Sequence, residues 1–365
     1  MKAPAGVRPA LAYLLGTALA LLAAFLVYRG ALRSEVRPPR SPLLAFPGAP
    51  AGRIPPLLVH VTRHESYSRI LEQLEDQGSI PLLWPLRVAA RLRGWDRTVV
   101  PGWYRFRSGE SALQLLARLG RGESEMVRLT LPEGWRLDRI LSAVADSAWL
   151  PLDSLRAVAA DTGWLRRQHV PGPGLEGYLF PDTYRLPRAE RPRLILESLL
   201  RPGADYWRDS LAVPAAGAGV DRRTLWTLAS VIESEAHAAP ERSRISAVFW
   251  NRLRLGMRLE SDPTVLYALG RPPGRLLYAD LAVDSPYNTY RSAGLPPGPI
   301  CSPGRASLRA ALRPQANCSD LFFVARGDGT HVFSRSLEEH ELARRRLRRE
   351  EARGTATGSG RLRGT

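Results

Sequence analysis

The sequence predicts an α+β protein on a membrane anchor: an N-terminal transmembrane helix, a small α+β subdomain, then a larger mixed α+β region. Three observations carry this. An apolar run without charge from Ala10 to Tyr28 is long enough to cross a bilayer core. Beyond it, short segments with the two-residue period of strands are interspersed with segments of helical period. Finally, a hydrophobic content of 44% over 365 residues supplies a core for one large or two modest domains and excludes a disordered chain.

Taken in order, residues 1–9 are a short N-terminal segment and residues 10–28 the transmembrane anchor. Ala18-Leu19-Ala20 resembles a signal-peptide cleavage site, but the apolar run continues past it, which favours an uncleaved anchor. Lys2 and Arg8 precede the span while Arg29, Arg33, Arg37 and Arg40 follow it, so basic residues do not set its orientation. Residues 29–56 turn rich in proline, glycine and arginine and read as a linker.

The small subdomain spans residues 57–125. Leu57–Val61 alternates like a strand, Tyr67–Gln77 and Leu86–Leu92 have helical spacing, and Gly102–Phe106 is a short aromatic strand. Ser111–Leu119 reads as a further helix, with Ser108 as its cap. The larger region spans residues 126–349. It opens with the strand and turn V-R-L-T-L-P-E-G and a helix over Leu137–Ala148, followed by V-P-G-P-G-L-E-G-Y-L-F-P-D-T-Y. The last stretch reads either as an exposed polar-aromatic loop suited to sugars or as a tightly packed turn. Its Gly172, Gly174 and Gly177 satisfy G-x-G-x-x-G, but Pro173 interrupts the motif and no apolar strand precedes it, which excludes a dinucleotide site.

Next comes a helix near Leu225–Glu235 with Asp221 as N-cap, then one over Glu241–Leu253, and a short helix opened by Asp262-Pro263. Tyr287–Tyr290 leads into a stiff Gly294–Pro299 loop. Ser307–Leu312 is helical, Leu321–Ala325 and His331–Phe333 form a hairpin, and Leu337–Arg348 is a terminal helix. Residues 350–365 read as a disordered tail.

A net charge of +17 and a pI near 10.9 invite a nucleic-acid reading. The basic residues are spread along the chain, nearly all are arginine, and no nucleic-acid-binding motif is present, so no nucleic acid is expected as partner. Attraction to an acidic polymer stays open. Cys301 and Cys318 allow either one disulfide or two free thiols. No metal-ligand spacing exists; His60 and His64, four residues apart, read as structural or solvated. No cofactor and no metal are expected.

One residue stands out. At 100° per residue, Leu228, Val231 and Ile232 form an apolar stripe into which Glu235 falls, while Glu233 lies on the other side of the helix. A carboxyl group forced into an apolar wall resists ionisation, so it can keep a proton to donate near neutral pH. Glu235 is the candidate general acid; the bland alternative is a glutamate held by one of the many arginines.

Taken together, L-E-G-Y-L-F-P-D-T-Y, A-S-V-I-E-S-E-A, V-F-W-N-R-L-R-L-G-M-R-L-E-S-D-P-T-V, Y-N-T-Y and G-L-P-P-G-P-I resemble the endolytic murein transglycosylase (MltG, YceG-like) family, from Leu57 to the terminal helix. The resemblance implies one inner-membrane span, residues 1–9 in the cytoplasm, a LysM-like subdomain over 57–125, and a YceG-like catalytic domain over 126–349 on the periplasmic side. It implies a lyase that cuts nascent glycan strands internally, leaves 1,6-anhydro-N-acetylmuramic acid ends and so terminates elongation. The family's essential acid is the second glutamate of V/I-E-x-E, which here is Glu235. Around it Glu176, Asn251, Asp262, Tyr287, Asn288 and Tyr290 are expected to position substrate or stabilise an oxocarbenium ion. Glu260 stands where the family more often has glutamine, which leaves the pH optimum open. The expected partners are peptidoglycan strands, one membrane and peptidoglycan synthases. The alternative is a non-catalytic peptidoglycan-binding scaffold for those synthases; a true hydrolase is third. A pyridoxal-phosphate lyase is excluded, because that chemistry needs a lysine for the Schiff base and the sole lysine, Lys2, precedes the membrane span.

Overall fold

The computed structural model describes residues 7–35, 58–61, 66–76, 80, 82–95, 102–105, 110–188 and 191–358. Most of the expected linker, as well as His64 and Ser108, lies outside these residues, and of His60 only the backbone is described. Among them one helix, α1 (Val7–Arg33), holds a stretch long and apolar enough to cross a membrane, Leu15–Arg33. The chain divides into two compact units. The first takes in residues through Arg128 together with Asp146–Pro151 and Arg185–Glu190, and the second holds the rest.

The first unit contains β1 (Leu58–Val61), α2 (Tyr67–Asp76), α3 (Leu83–Leu92), β2 (Gly102–Arg105) and α4 (Ala112–Arg121). Strands β1 and β2 pair antiparallel, Val61 opposite Gly102. Ile70, Leu71 and Leu74 of α2, Leu86 of α3, Tyr104, and Leu115, Leu116 and Leu119 of α4 make one buried cluster, which the C-terminal end of α1 joins through Leu32. The helix periods place these residues inward. The cap of α4 is Ser111, three residues beyond the expected Ser108: its hydroxyl accepts from the Gln114 N–H (3.3 Å) while the Gln114 side chain accepts from the Ser111 N–H (2.8 Å). A glutamine at the third helical position makes that reciprocal cap possible. The later segments belong to this unit because Arg188 stacks 3.9 Å over Trp149, donates to the Ser147 carbonyl (3.0 Å) and approaches Glu125.

Strands β3 (Met126–Leu131) and β4 (Asp182–Pro187) pair, and the division between the units crosses both. The second unit continues with α5 (Leu137–Ala148), α6 (Leu152–Ala160), α7 (Thr162–Arg167), α8 (Pro192–Tyr206), α9 (Ala212–Gly217), α10 (Arg222–Glu235), α11 (Arg242–Arg254), α12 (Asp262–Ala268) and α13 (Arg305–Leu312). It ends with the hairpin β5 (Phe322–Ala325) and β6 (His331–Ser334) and with α14 (Leu337–Gly358). Helix α10 is its centre: every residue from Leu225 to Ile232 is buried, and α11, α12 and α13 pack around it.

Helices α6 to α9 and strand β4 were not foreseen, being short or interrupted by prolines such as Pro202. Of the two readings of the segment before β4, the packed turn holds and the exposed sugar-facing loop does not: Leu175, Tyr178, Leu179 and Phe180 are buried, Tyr178 stacks on Trp226 (6.2 Å), and the Tyr184 hydroxyl donates to the Phe180 carbonyl (2.5 Å). Helix α14 runs on to Gly358, into the expected tail, supported over its middle turns by the pairs Arg345–Glu341 (3.6 Å) and Arg346–Glu350 (2.9 Å).

Candidate active site

Helix α10 begins where the Asp221 side chain accepts from the Thr224 N–H (2.7 Å) and ends at Glu235, because Ala236 turns extended. Glu235 thus sits at the negative end of a helix dipole, which disfavours a second negative charge. Glu235 is partly buried, and Ser261 Oγ donates to its Oε1 at 2.5 Å. Burial pushes its pKa up to about 7 and the charge of Asp262 adds to that, while the Ser261 hydrogen bond and Arg252 pull the other way. The carboxyl can therefore hold a proton near neutral pH.

Ser261 is held by a small lattice of hydroxyls. Its N–H donates to Thr289 Oγ1 (3.0 Å), Thr289 Oγ1 bonds Thr264 Oγ1 (2.8 Å), and Thr264 Oγ1 donates to the Ser261 carbonyl (2.6 Å). One residue on, Asp262 opens α12 at the surface and its Oδ1 accepts from the Tyr290 hydroxyl (2.6 Å). Burial and the Asp262 carboxylate raise the Tyr290 pKa well above the usual phenol range, so it stays a neutral donor. Glu260, half-exposed, pairs with Arg252 (3.3 Å), whose guanidinium also donates to the Leu259 (2.9 Å) and Leu321 (2.6 Å) carbonyls. Glu260 is not among the groups that shift Glu235, although its charge adds to the rise at Tyr290.

A second carboxyl lies apart from the first. Glu176 Oε1 accepts from the Leu137 N–H at the start of α5 (3.0 Å) and from the Gly177 N–H (3.2 Å). Burial still raises its pKa to about 7 against those hydrogen bonds and Arg136. It lines a cavity of about 580 Å³ together with Leu137, Leu175, Tyr267 and Tyr287, a cavity whose lining does not include Glu235. The Tyr267 and Tyr287 rings stand 4.9 Å apart, and Arg136 lies 5.2 Å over Tyr267 while donating to the Arg271 carbonyl (2.5 Å).

The expected site residues thus fall into three groups. Glu235, Asp262 and Tyr290 form one constellation, and Glu176 and Tyr287 belong to the cavity. Asn251 and Asn288 differ from expectation: both are buried and committed to backbone. Asn251 Nδ2 donates to the Cys318 and Asp320 carbonyls (2.9 Å each). Asn288 Nδ2 donates to the Leu281 (2.9 Å) and Val283 (2.8 Å) carbonyls while its Oδ1 accepts from the Tyr290 N–H (3.0 Å). They hold the loops rather than face a ligand. Sequence reasoning missed Ser261, Thr289, Tyr267 and Arg136. Ser261 and Thr289 lie inside the motifs quoted above, next to Asp262 and Asn288, and that adjacency is the signal that could have found them.

Glu233, two residues from the candidate acid, is not solvated. Its side chain is 7% exposed, contacts Arg242 (3.5 Å) and accepts from the Gly304 N–H (2.9 Å) at the start of α13. Both cysteines are free: Cys301 is buried beside Ser230 and Ser234, and Cys318 contacts Asp320. Among the described residues, no group of three or more histidine, cysteine, aspartate or glutamate side chains could hold a metal ion.

Comparison with known proteins gives a consistent picture. The YceG-like family pattern matches residues 59–346. A Bacillus subtilis protein named endolytic murein transglycosylase is 34% identical over 261 residues, covering 67% of this chain and 71% of that one. A Streptococcus pneumoniae protein of the same name is 29% identical over 272 residues; the match covers 66% of this chain and 49% of the relative, about half its length. Among solved structures, a yceG-like protein of Listeria monocytogenes matches with a TM-score of 0.56 and 29% identity, over 78% of this chain and 97% of that one.

Proposed function

Because the chain belongs to the YceG-like family, we propose that it is a membrane-anchored endolytic peptidoglycan transglycosylase, a lyase that cleaves glycan strands internally and leaves 1,6-anhydro-N-acetylmuramic acid ends. The observation that carries the reading is Glu235, a carboxyl with a pKa near 7 at the end of a buried helix, oriented by one serine hydroxyl.

A glycosidase that uses water needs two carboxyl groups flanking the bond. Transglycosylation needs only one. The protonated Glu235 donates to the oxygen of the breaking bond, and the N-acetylglucosamine part leaves as an alcohol. The C6 hydroxyl of the N-acetylmuramic acid then attacks its own C1, and the Glu235 carboxylate takes up the proton from that hydroxyl. No water is consumed and the acid is regenerated. A pKa near 7 suits both halves, since the group must give and then accept a proton at about the same pH. Asp262, at the surface beside Glu235 and hydrogen-bonded to Tyr290, supplies negative charge to the oxocarbenium-like centre. Glu176 and Tyr287 in the cavity position the strand.

In this reading α1 holds the protein in the cytoplasmic membrane, the rest of the chain lies outside it where the substrate is, the first unit is a LysM-like substrate-binding module, and internal cleavage ends elongation by peptidoglycan synthases. The test is mass spectrometry of sugar ends released from purified peptidoglycan in ¹⁸O-labelled water. Anhydro ends without label are expected. Label at C1 would show hydrolysis instead, and binding without any cleavage would leave the scaffold reading.

A further inference from the structure

Helix α3 of the first unit buries Pro85, Leu86, Ala89 and Ala90 in the core. Its opposite face is apolar as well. Trp84, Val88 and Leu92, four residues apart and therefore one above another, are 44%, 43% and 76% exposed. A stripe of tryptophan, valine and leucine left in water is disfavoured in proportion to the apolar surface that could be covered.

The same unit indicates what covers it. In α1 the residues Leu15, Leu19, Leu22, Phe25 and Leu26 are all more than half exposed, as lipid-facing side chains would be. From Tyr28 onward the helix changes character: Tyr28 packs against the core, Ala31 and Leu32 are buried, and Arg29 and Arg33 stay outside. Tyrosine and arginine at that change mark the level of the membrane surface. Helix α3 packs against α1, and its Leu83 joins Tyr28 around the same cluster, so α3 lies at that level. Its apolar stripe is flanked by Arg91, exposed, and by Arg87, which pairs with Glu72 (2.5 Å).

We propose that α3 is a membrane-surface helix: Trp84, Val88 and Leu92 enter the boundary between headgroups and acyl chains of the bilayer that α1 crosses, while Arg91, Arg29 and Arg33 meet anionic phospholipid headgroups. The inference rests on the reading of α1 as a membrane anchor. Tryptophan prefers this boundary because its ring is apolar and its N–H is polar, and cationic side chains beside an apolar face are the usual composition of interfacial helices. The consequence is a small module held down against the membrane instead of swinging on a tether.

The test uses the full chain in vesicles of phosphatidylethanolamine and phosphatidylglycerol. In a Cys318→Ser background, where the remaining Cys301 is buried, an environment-sensitive fluorophore is attached at Val88→Cys or, as control, at Ser68→Cys on the exposed face of α2. The bilayer should blue-shift the label at position 88 but not the label at position 68, and lipids carrying a shallow nitroxide should quench the label at position 88 several-fold more. Trp84→Glu, a change on the exposed face, should reverse most of that difference, and vesicles without the anionic lipid should weaken it. Equal, water-like emission at both positions while the protein co-floats with the vesicles would overturn the proposal and leave the anchor intact. Failure to co-float would remove the anchor and the proposal with it. A blue shift at position 88 that lipid nitroxides do not quench would mean that protein, not lipid, covers the stripe.

Discussion

At the scale of single residues, the proposed chemistry depends on one proton. Glu235→Gln keeps the shape and can still accept from Ser261, but it cannot donate to the glycosidic oxygen, so turnover should fall by ~10²–10⁴-fold. Because the working acid must be protonated, the rate should fall on the alkaline side of about pH 7. The same group acts on stability with a defined sign. Its folded pKa, about 7, lies above the ordinary value of 4.5, so the folded protein binds the proton more tightly than the unfolded chain. That stability is present below about pH 4.5 and is lost as pH rises through 7; Glu176 contributes in the same direction. Glu235→Gln should therefore be more resistant to heat than the parent at pH 8 while nearly inactive, and a variant less stable than the parent at that pH would contradict the assignment. Glu233→Gln separates the two glutamates. It weakens the contact with Arg242 beside the start of α13 and should cost about 1–2 kcal/mol in denaturant unfolding, yet leave turnover by the folded protein largely intact. Loss of activity in Glu233→Gln but not in Glu235→Gln would reverse the roles.

Among the elements, helical period and capping chemistry were legible where they were strong. The sequence shows α10 with Asp221 as its cap, α5 over Leu137–Ala148, and the β5–β6 hairpin across Gly327–Thr330. It did not show α6, α7 and α9, which are short, or α8, which holds Pro202 inside its helix, nor that Asn251 and Asn288 face inward. Polar residues in a motif look alike whether they bind a ligand or close a loop; only the positions of the Leu281, Val283, Cys318 and Asp320 carbonyls distinguish the two. Asn288→Ala should accordingly act through the fold. It leaves two carbonyls and the Tyr290 N–H without these partners, at a cost of about 2–3 kcal/mol, and should loosen Tyr290 from Asp262. Wild-type stability in that variant would return Asn288 to the ligand-binding candidates. The rejected glycine motif also has a structural explanation. Gly177 has φ of 80° and a Cβ there would stand 2.3 Å from Pro299 Cβ and 2.9 Å from the Cys301 carbonyl, so Gly177→Ala should push the Pro299–Cys301 segment away from Glu176 and lower both stability and turnover. Its place is to let two chain segments touch beside the cavity, not to approach a phosphate.

At the scale of the whole molecule, the charge matters more for encounter than for architecture. A net charge of +17, almost all arginine, is distributed along the chain and is not gathered into a recognition motif. Many of these arginines have structural duties: Arg118 is buried against Glu110 (2.9 Å), Arg136 is bonded to a carbonyl beside the cavity, and Arg252 ties together three chain segments. The excess nonetheless produces a positive field around both units that draws in polyanions, and cell-wall polymers are long and acidic. Such attraction acts over a Debye length, about 10 Å at 0.1 M salt and 3 Å at 1 M, whereas a proton passed from Glu235 to a bonded oxygen is not screened at that range. Raising the salt from 0.1 M to 1 M should therefore raise KM for polymeric peptidoglycan severalfold and leave kcat nearly unchanged, with a smaller effect on short glycan fragments that span fewer charges. A drop in kcat with constant KM would instead show that salt disturbs the carboxyl groups near Glu235, and that the field of the distributed arginines contributes little to capturing the strand.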